Sequence, residues 1–180
     1  MMRLLLALLC ATLAAVETAP LADLVLPDHR GGTCRLDAEV RDRLLMYFRT
    51  GERMAAKRCD QVLAKRLGTG RPLVRVIDGR EYRPEDRAAI TQRIADAVHE
   101  EPVTFLLDWD GAVAQRLSLP DVPLLFAGFA ADGRMTGATP CAFNRDSLDR
   151  VLPLLPVLDQ TAFTSDELAV VKRSAKDARP

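Results

Sequence analysis

Histidine is nearly missing from this chain: His29 and His99 are the only two, and they stand in unrelated contexts. A metal centre built on several imidazoles has no foundation here, and Asp28-His29 is expected in a solvated loop. Neither sign of charge is in excess, since 25 basic and 25 acidic residues cancel, so the electrostatic footprint of a nucleic-acid binder is absent. Four cysteines are present, but no Cys-x-x-Cys occurs. That removes the usual dithiol motif and, with it, covalent haem attachment through Cys-x-x-Cys-His. Beyond the first residues no apolar run is long enough to cross a bilayer.

The first residues have the pattern of an export signal. Met1-Met2-Arg3 is a short positive segment, Leu4 to Leu13 is apolar but too short to span a membrane, and small residues follow at Ala14 and Ala15. Residues 1–19 are therefore expected to be a removed signal peptide, carrying Cys10 away with them. The mature protein is expected in the periplasm or secreted, with about 160 residues, enough for one domain with a core. In such a compartment disulfides persist. Cys34, Cys59 and Cys141 remain as thiols or disulfide partners, and three cannot all pair within one molecule.

Residues 19–33 contain Pro and Gly without periodicity and are expected to be a linker. Leu36, Val40, Leu44 and Phe48 recur at helical spacing, and Ala55, Cys59, Val62 and Leu67 do so again after Thr50-Gly51. Those spacings predict a helical hairpin, Leu36–Arg49 and Glu52–Leu67, with Cys59 on its apolar side. Residues 20–70 thus form a linker and helical extension. From Arg71 the texture changes: strand 71–77, helix 84–98, strand 103–108, short helix 112–116, strand 123–130, strand 134–137 and a helix over 144–155. Pro84 suits a first helical position, and Glu85 and Asp86 complement the helix dipole there. Residues 159–180 are expected to form a polar helix and tail. Val76-Ile-Asp-Gly-Arg-Glu-Tyr82 also reads as a hairpin with an Asp-Gly turn, which would place Tyr82 on a short strand; both readings stay open.

From Arg71 to about Leu155, within a domain spanning residues 71–158, this order resembles the thioredoxin-like superfamily. The closest correspondence is Asp121-Val-Pro-Leu-Leu-Phe-Ala-Gly-Phe-Ala-Ala-Asp-Gly-Arg-Met-Thr-Gly137. In thioredoxins a proline with a cis peptide bond opens a buried strand that turns at a polar-Gly pair into an edge strand. The resemblance implies a mixed α/β sheet flanked by helices, with Pro123 at that strand start and a cis Val122–Pro123 bond. It also implies that the thioredoxin Cys-Gly-Pro-Cys corresponds to Tyr82-Arg83-Pro84-Glu85, where both thiols are gone. By the same resemblance Tyr82, Val122 and Pro123 would line a groove that binds extended peptide by strand addition.

Phe105-Leu-Leu-Asp-Trp-Asp-Gly-Ala-Val113 superficially resembles the nucleophile strand of haloacid-dehalogenase-type phosphatases. After Asp110 the only lysines are Lys172 and Lys176, in the polar tail, and about 70 residues cannot build the rest of that doubly wound fold. Asp108 or Asp110 is better read as capping the helix that follows. The expected function is an exported module that binds a protein or peptide in the cell envelope, with no catalytic residue, metal or cofactor assigned. The alternative is thiol-disulfide exchange through a single cysteine, for which Cys141, after Thr139-Pro140, is the expected exposed thiol.

Overall fold

Leu44-Leu-Met-Tyr-Phe48 is apolar on every side, a pattern that suits only a segment covered on both faces. In the computed structural model, which describes residues 21–67, 73–98, 103–154 and 163–166, it forms the middle strand of a five-stranded sheet. Two short strands, β1 (Val25–Pro27) and β2 (Thr33–Arg35), pair antiparallel ahead of a one-turn helix α1 (Leu36–Glu39). Strand β3 (Leu44–Arg49) leads into helix α2 (Arg53–Leu67), and β4 (Val74–Asp78) into α3 (Arg87–Val98). Then follow β5 (Phe105–Asp108), α4 (Ala112–Arg116), β6 (Leu124–Phe129), β7 (Met135–Pro140) and α5 (Arg145–Asp149).

The sheet order is β5-β4-β3-β6-β7. β3, β4 and β5 run parallel, while β6 is antiparallel to β3 and β7 to β6. Side chains alternate between two cores, as strand geometry requires. Leu44, Met46, Phe48, Leu124 and Phe126 point toward α2 and α5, where they meet Ala56, Cys59, Leu63 and Leu148. Leu45, Tyr47, Leu125 and Ala127 point to the other side, against Leu36, Val40, Val113 and Leu117. Helices thus flank both faces of a mixed sheet.

Several expectations are corrected. Leu36–Arg49 is not one helix: only Leu36–Glu39 is helical, the backbone reverses at Asp42 (φ 54°), and Leu44–Arg49 is β3. A short, wholly apolar run has no period that separates strand from buried helix, and the i, i+4 spacing of Leu44 and Phe48 was coincidental. The segment expected as an extension therefore supplies the centre of the sheet. The expected linker contains the β1–β2 hairpin, and His29 is buried, not solvated: its Nδ1 accepts the Phe105 amide at 3.1 Å and its own amide donates to the Phe105 carbonyl at 3.1 Å. Unsatisfied edge groups of β5 draw this loop in.

No peptide bond among the described residues is cis, so Val122–Pro123 is trans. β6 still begins directly after Pro123, because the Val122 amide closes a tight turn onto the Pro120 carbonyl and the Pro123 carbonyl accepts the Arg49 amide, both at 2.9 Å. The hairpin reading of residues 76–82 fails: β4 ends at Asp78 and Tyr82 donates back to the Gly79 carbonyl at 3.0 Å. Pro84 takes the first position of the 3-10 turn that opens α3. Asn144 caps α5 by accepting the Ser147 amide at 2.9 Å. The signal segment, residues 1–19, and most of the predicted C-terminal helix lie outside the described residues; of the latter, Phe163 is wholly buried.

Candidate functional site

Each parallel strand ends in a charged residue: Arg49 on β3, Asp78 on β4, Asp108 on β5. Parallel strands place their carboxyl ends on one edge of the sheet, where open α/β folds collect functional groups. Here that edge forms a polar cleft of about 320 Å³ lined by Arg49, Asp78, Arg80, Glu81 and Asp121.

The Arg80 guanidinium grips the buried Asp78 carboxylate with two parallel bonds, Nε to Oδ1 at 2.9 Å and Nη2 to Oδ2 at 2.7 Å. Arg49 reaches the same carboxylate at 3.8 Å and also binds Asp121, which Arg80 meets at 3.2 Å. Burial alone would raise the Asp78 pKa. The Arg80 bonds, its backbone amide and the charges of Arg80 and Arg49 outweigh that and hold the carboxyl below the usual range. Its cross-strand neighbour Asp108 behaves oppositely. Burial pushes its pKa up, although the Val113 and Ala112 amides and the Tyr47 hydroxyl bond the carboxylate. Those bonds measure 3.0, 2.9 and 3.0 Å.

Asp108 thus caps α4, as the sequence suggested, while Asp110 instead pairs with Arg87 at 2.8 Å. With both oxygens occupied and 1 % exposure, Asp108 presents no nucleophile to a substrate. A phosphatase reading has no support.

Two glycines let the loops after β4 and β5 interlock. A Cβ on Gly79 would sit 2.3 Å from the Trp109 ring, and one on Gly111 2.3 Å from the Arg80 stem. Gly111 also needs its positive φ of 73° to open α4. Trp109 carries Tyr82 edge-on, with ring centroids 6.4 Å apart, and Arg87 against its ring.

The three residues expected to line a groove do converge on this edge. The Tyr82 hydroxyl bonds Thr50 at the start of the turn into α2. Pro123 is exposed and Val122 half-buried, one residue beyond Asp121. The central strand of the sheet is β3, so the helix whose N-terminus faces this edge from the central strand is α2 rather than α3. The entrance to α2 reads Thr50-Gly51-Glu52-Arg53, whereas Tyr82-Arg83-Pro84-Glu85 stands at the entrance to α3, on the next strand–helix unit. Thr50–Arg53 contains no cysteine. Sequence reasoning missed Arg49, Thr50, Asp78, Arg80 and Asp121. The available signal was the charged residue closing each parallel strand.

The thiols lie elsewhere. Cys59 is fully buried and Cys141 half-buried in the core on the α2 side, while Cys34 packs on the opposite face. Cys141 is thus less open than expected. Burial, helped by the charge and hydrogen bond of Glu39, pushes the Cys34 thiol up to about 11 and suppresses its thiolate.

A mixed sheet with this strand order, carrying helices on both faces, places the molecule among α/β proteins built on a β-α-β-α-β-α-β-β-α path. Comparison with solved structures gives the fold more narrowly: it is thioredoxin-like. The pneumococcal exposed lipoprotein thioredoxin Etrx1 from Streptococcus pneumoniae superposes with a TM-score of 0.56 at 16% identity, over 73% of this chain and 98% of that one. The N-terminal domain of PilB from Neisseria gonorrhoeae gives 0.53 at 14% identity, covering 75% and 90%. MTB DsbF, in its mixed oxidized and reduced forms, gives 0.51 at 17%, covering 75% and 97%. Such identities establish shared architecture alone. No protein-family model matches the sequence, and no curated protein does.

Proposed function

We propose that this is an exported thioredoxin-fold protein that binds a polypeptide partner in the cell envelope at the carboxyl edge of its sheet, without dithiol exchange there. The observation that carries the reading is the composition of the α2 entrance. Thr50-Gly51-Glu52-Arg53 offers no thiol for the helix dipole to activate, and ion pairs among Arg49, Arg80, Asp78 and Asp121 occupy the adjoining cleft. Exposed Pro123 lies at the same edge, as does Tyr82, edge-on to Trp109, and Met54, on the first turn of α2, is 58 % exposed. An aromatic and an exposed methionine beside paired arginines suit a protein surface as partner. The Val122 amide is already bonded to Pro120. Recognition here therefore runs through side chains more than through strand addition at that residue.

A photoreactive residue at position 82 tests this. It is expected to crosslink a defined envelope protein, whereas the same group at Asp132, in the exposed β6–β7 turn, gives background. Equal yields from both positions would remove the reading. Thiol-disulfide exchange through Cys141 is the second reading, favoured by its half-open thiol and by thioredoxin and DsbF relatives of the fold. It predicts that the adduct at position 82 requires Cys141; the binding reading predicts that Cys141→Ser leaves it intact.

A further inference from the structure

Two cysteines more than eighty positions apart in sequence share one core cluster of this protein. Cys59 lies on the buried face of α2, between Ala56 and Leu63, with no exposed surface. Cys141 follows β7 directly and is fixed there by its own amide, which donates to the Leu124 carbonyl at 3.0 Å. Cys141 packs against the same core cluster that holds Cys59, and its thiol is the largest influence raising the Cys59 pKa. The flanking residues close over them: the Arg58 guanidinium, one residue before Cys59, lies 5.7 Å from the ring centroid of Phe143, two residues after Cys141. Cys34 has no route to either sulfur, because it packs on the far face of the sheet.

We propose that Cys59 and Cys141 form an intramolecular disulfide that staples α2 to the β7–α5 connection, leaving Cys34 as the single free thiol of the mature chain. Thiols packed into one core cluster, with their flanking residues Arg58 and Phe143 stacked on each other, need little backbone movement to reach bonding geometry. The oxidant is a disulfide donor, either a small-molecule disulfide or an oxidised protein dithiol of the export compartment. Cys141, the more accessible, loses its proton to solvent and attacks one donor sulfur, releasing the other as a thiol. Cys59 then loses its proton and attacks the Cys141 Sγ of the mixed disulfide, releasing the second donor thiol. Two electrons pass from the cysteine pair to the donor. The neighbouring Cys141 thiol and burial keep the Cys59 thiol protonated in the reduced protein, so it is inert toward direct attack by outside oxidants. The staple fixes the helix whose first turn borders the cleft; it is independent of the binding reading and excludes exchange through a free Cys141.

Peptide mapping of the exported full-length product, with free thiols alkylated before unfolding and without reduction, is expected to yield a linked Cys59–Cys141 pair. Cys34 is expected to be modified only slowly or after unfolding. Reduction with a phosphine should lower Tm by about 5–15 °C, the range for closing a long loop in a domain of this size. Cys34→Ser should keep that sensitivity in full. Cys141→Ser, a change at a half-buried site, should abolish it. A linkage involving Cys34, a Cys141-linked dimer, or three alkylatable thiols after equilibration with oxidised glutathione would each overturn the proposal.

Discussion

Asp78 and Asp108 occupy equivalent places on adjacent parallel strands, paired in register, each ending its strand and each almost fully buried. Their surroundings make them opposites. Asp78 faces the cleft and is held ionised by Arg80 and Arg49. Asp108 faces inward and is surrounded only by neutral donors: two backbone amides and the Tyr47 hydroxyl. One carboxylate belongs to a charged surface that can meet a partner; the other organises the framework behind it. Position on the sheet edge alone therefore does not set an acid's ionisation. The counter-charge does.

The comparison breaks most sharply at Asp108. Asp108→Leu removes the acceptor of three donors at once, two of them buried, and leaves them unsatisfied. The expected loss is about 3 kcal/mol or more, read from the denaturant midpoint. Asp78→Asn is expected to cost less, about 1–2 kcal/mol, since Arg80 is 38 % exposed, can be hydrated, and keeps Asp121 as partner. Should both substitutions cost the same, the division between framework and cleft would be wrong.

Much of the frame is legible in the sequence, and the exceptions have physical causes. The helix α4 was expected at Ala112–Arg116 and lies there, because Asp108 and Gly111 mark its start unambiguously. Pro84 and Asn144 likewise mark the openings of α3 and α5. β3 was misread because a strand covered on both faces loses the alternation that identifies strands. Reading β3 as helix draws attention to Tyr82, ahead of α3, before Arg49 and Thr50, ahead of α2. The cleft residues are scattered over Arg49, Asp78, Arg80 and Asp121, and only the parallel register brings them together. Nor can spacing show that Cys59 and Cys141 share one core cluster across a helix and a strand end.

The finest distinction between the two acids is in their pH dependence, and Tyr47 sharpens it. Asp78 has a lowered pKa in the folded state, so its contribution to stability is present above the unfolded carboxyl value, about 3.9, and is lost as pH falls through the folded value. Asp108 has a raised one, so its contribution is full below about 3.9 and is lost as pH rises through the folded value. Tyr47→Phe deletes one of the bonds that favour the Asp108 carboxylate, at a cost of about 1 kcal/mol near neutral pH. With that donor gone the folded pKa of Asp108 climbs further, and the stability lost on raising pH extends to higher values. Unfolding free energies for wild type and Tyr47→Phe should therefore converge toward acid and separate toward neutrality. Asp78→Asn should instead differ from wild type least at the lowest pH, where the native Asp78 is itself protonated, and should flatten the acid limb while leaving the Asp108 limb in place. Parallel curves for Tyr47→Phe and wild type across the whole range would mean that the hydroxyl does not act on the ionised carboxylate, and the contrast between the two strand ends would lose its electrostatic basis.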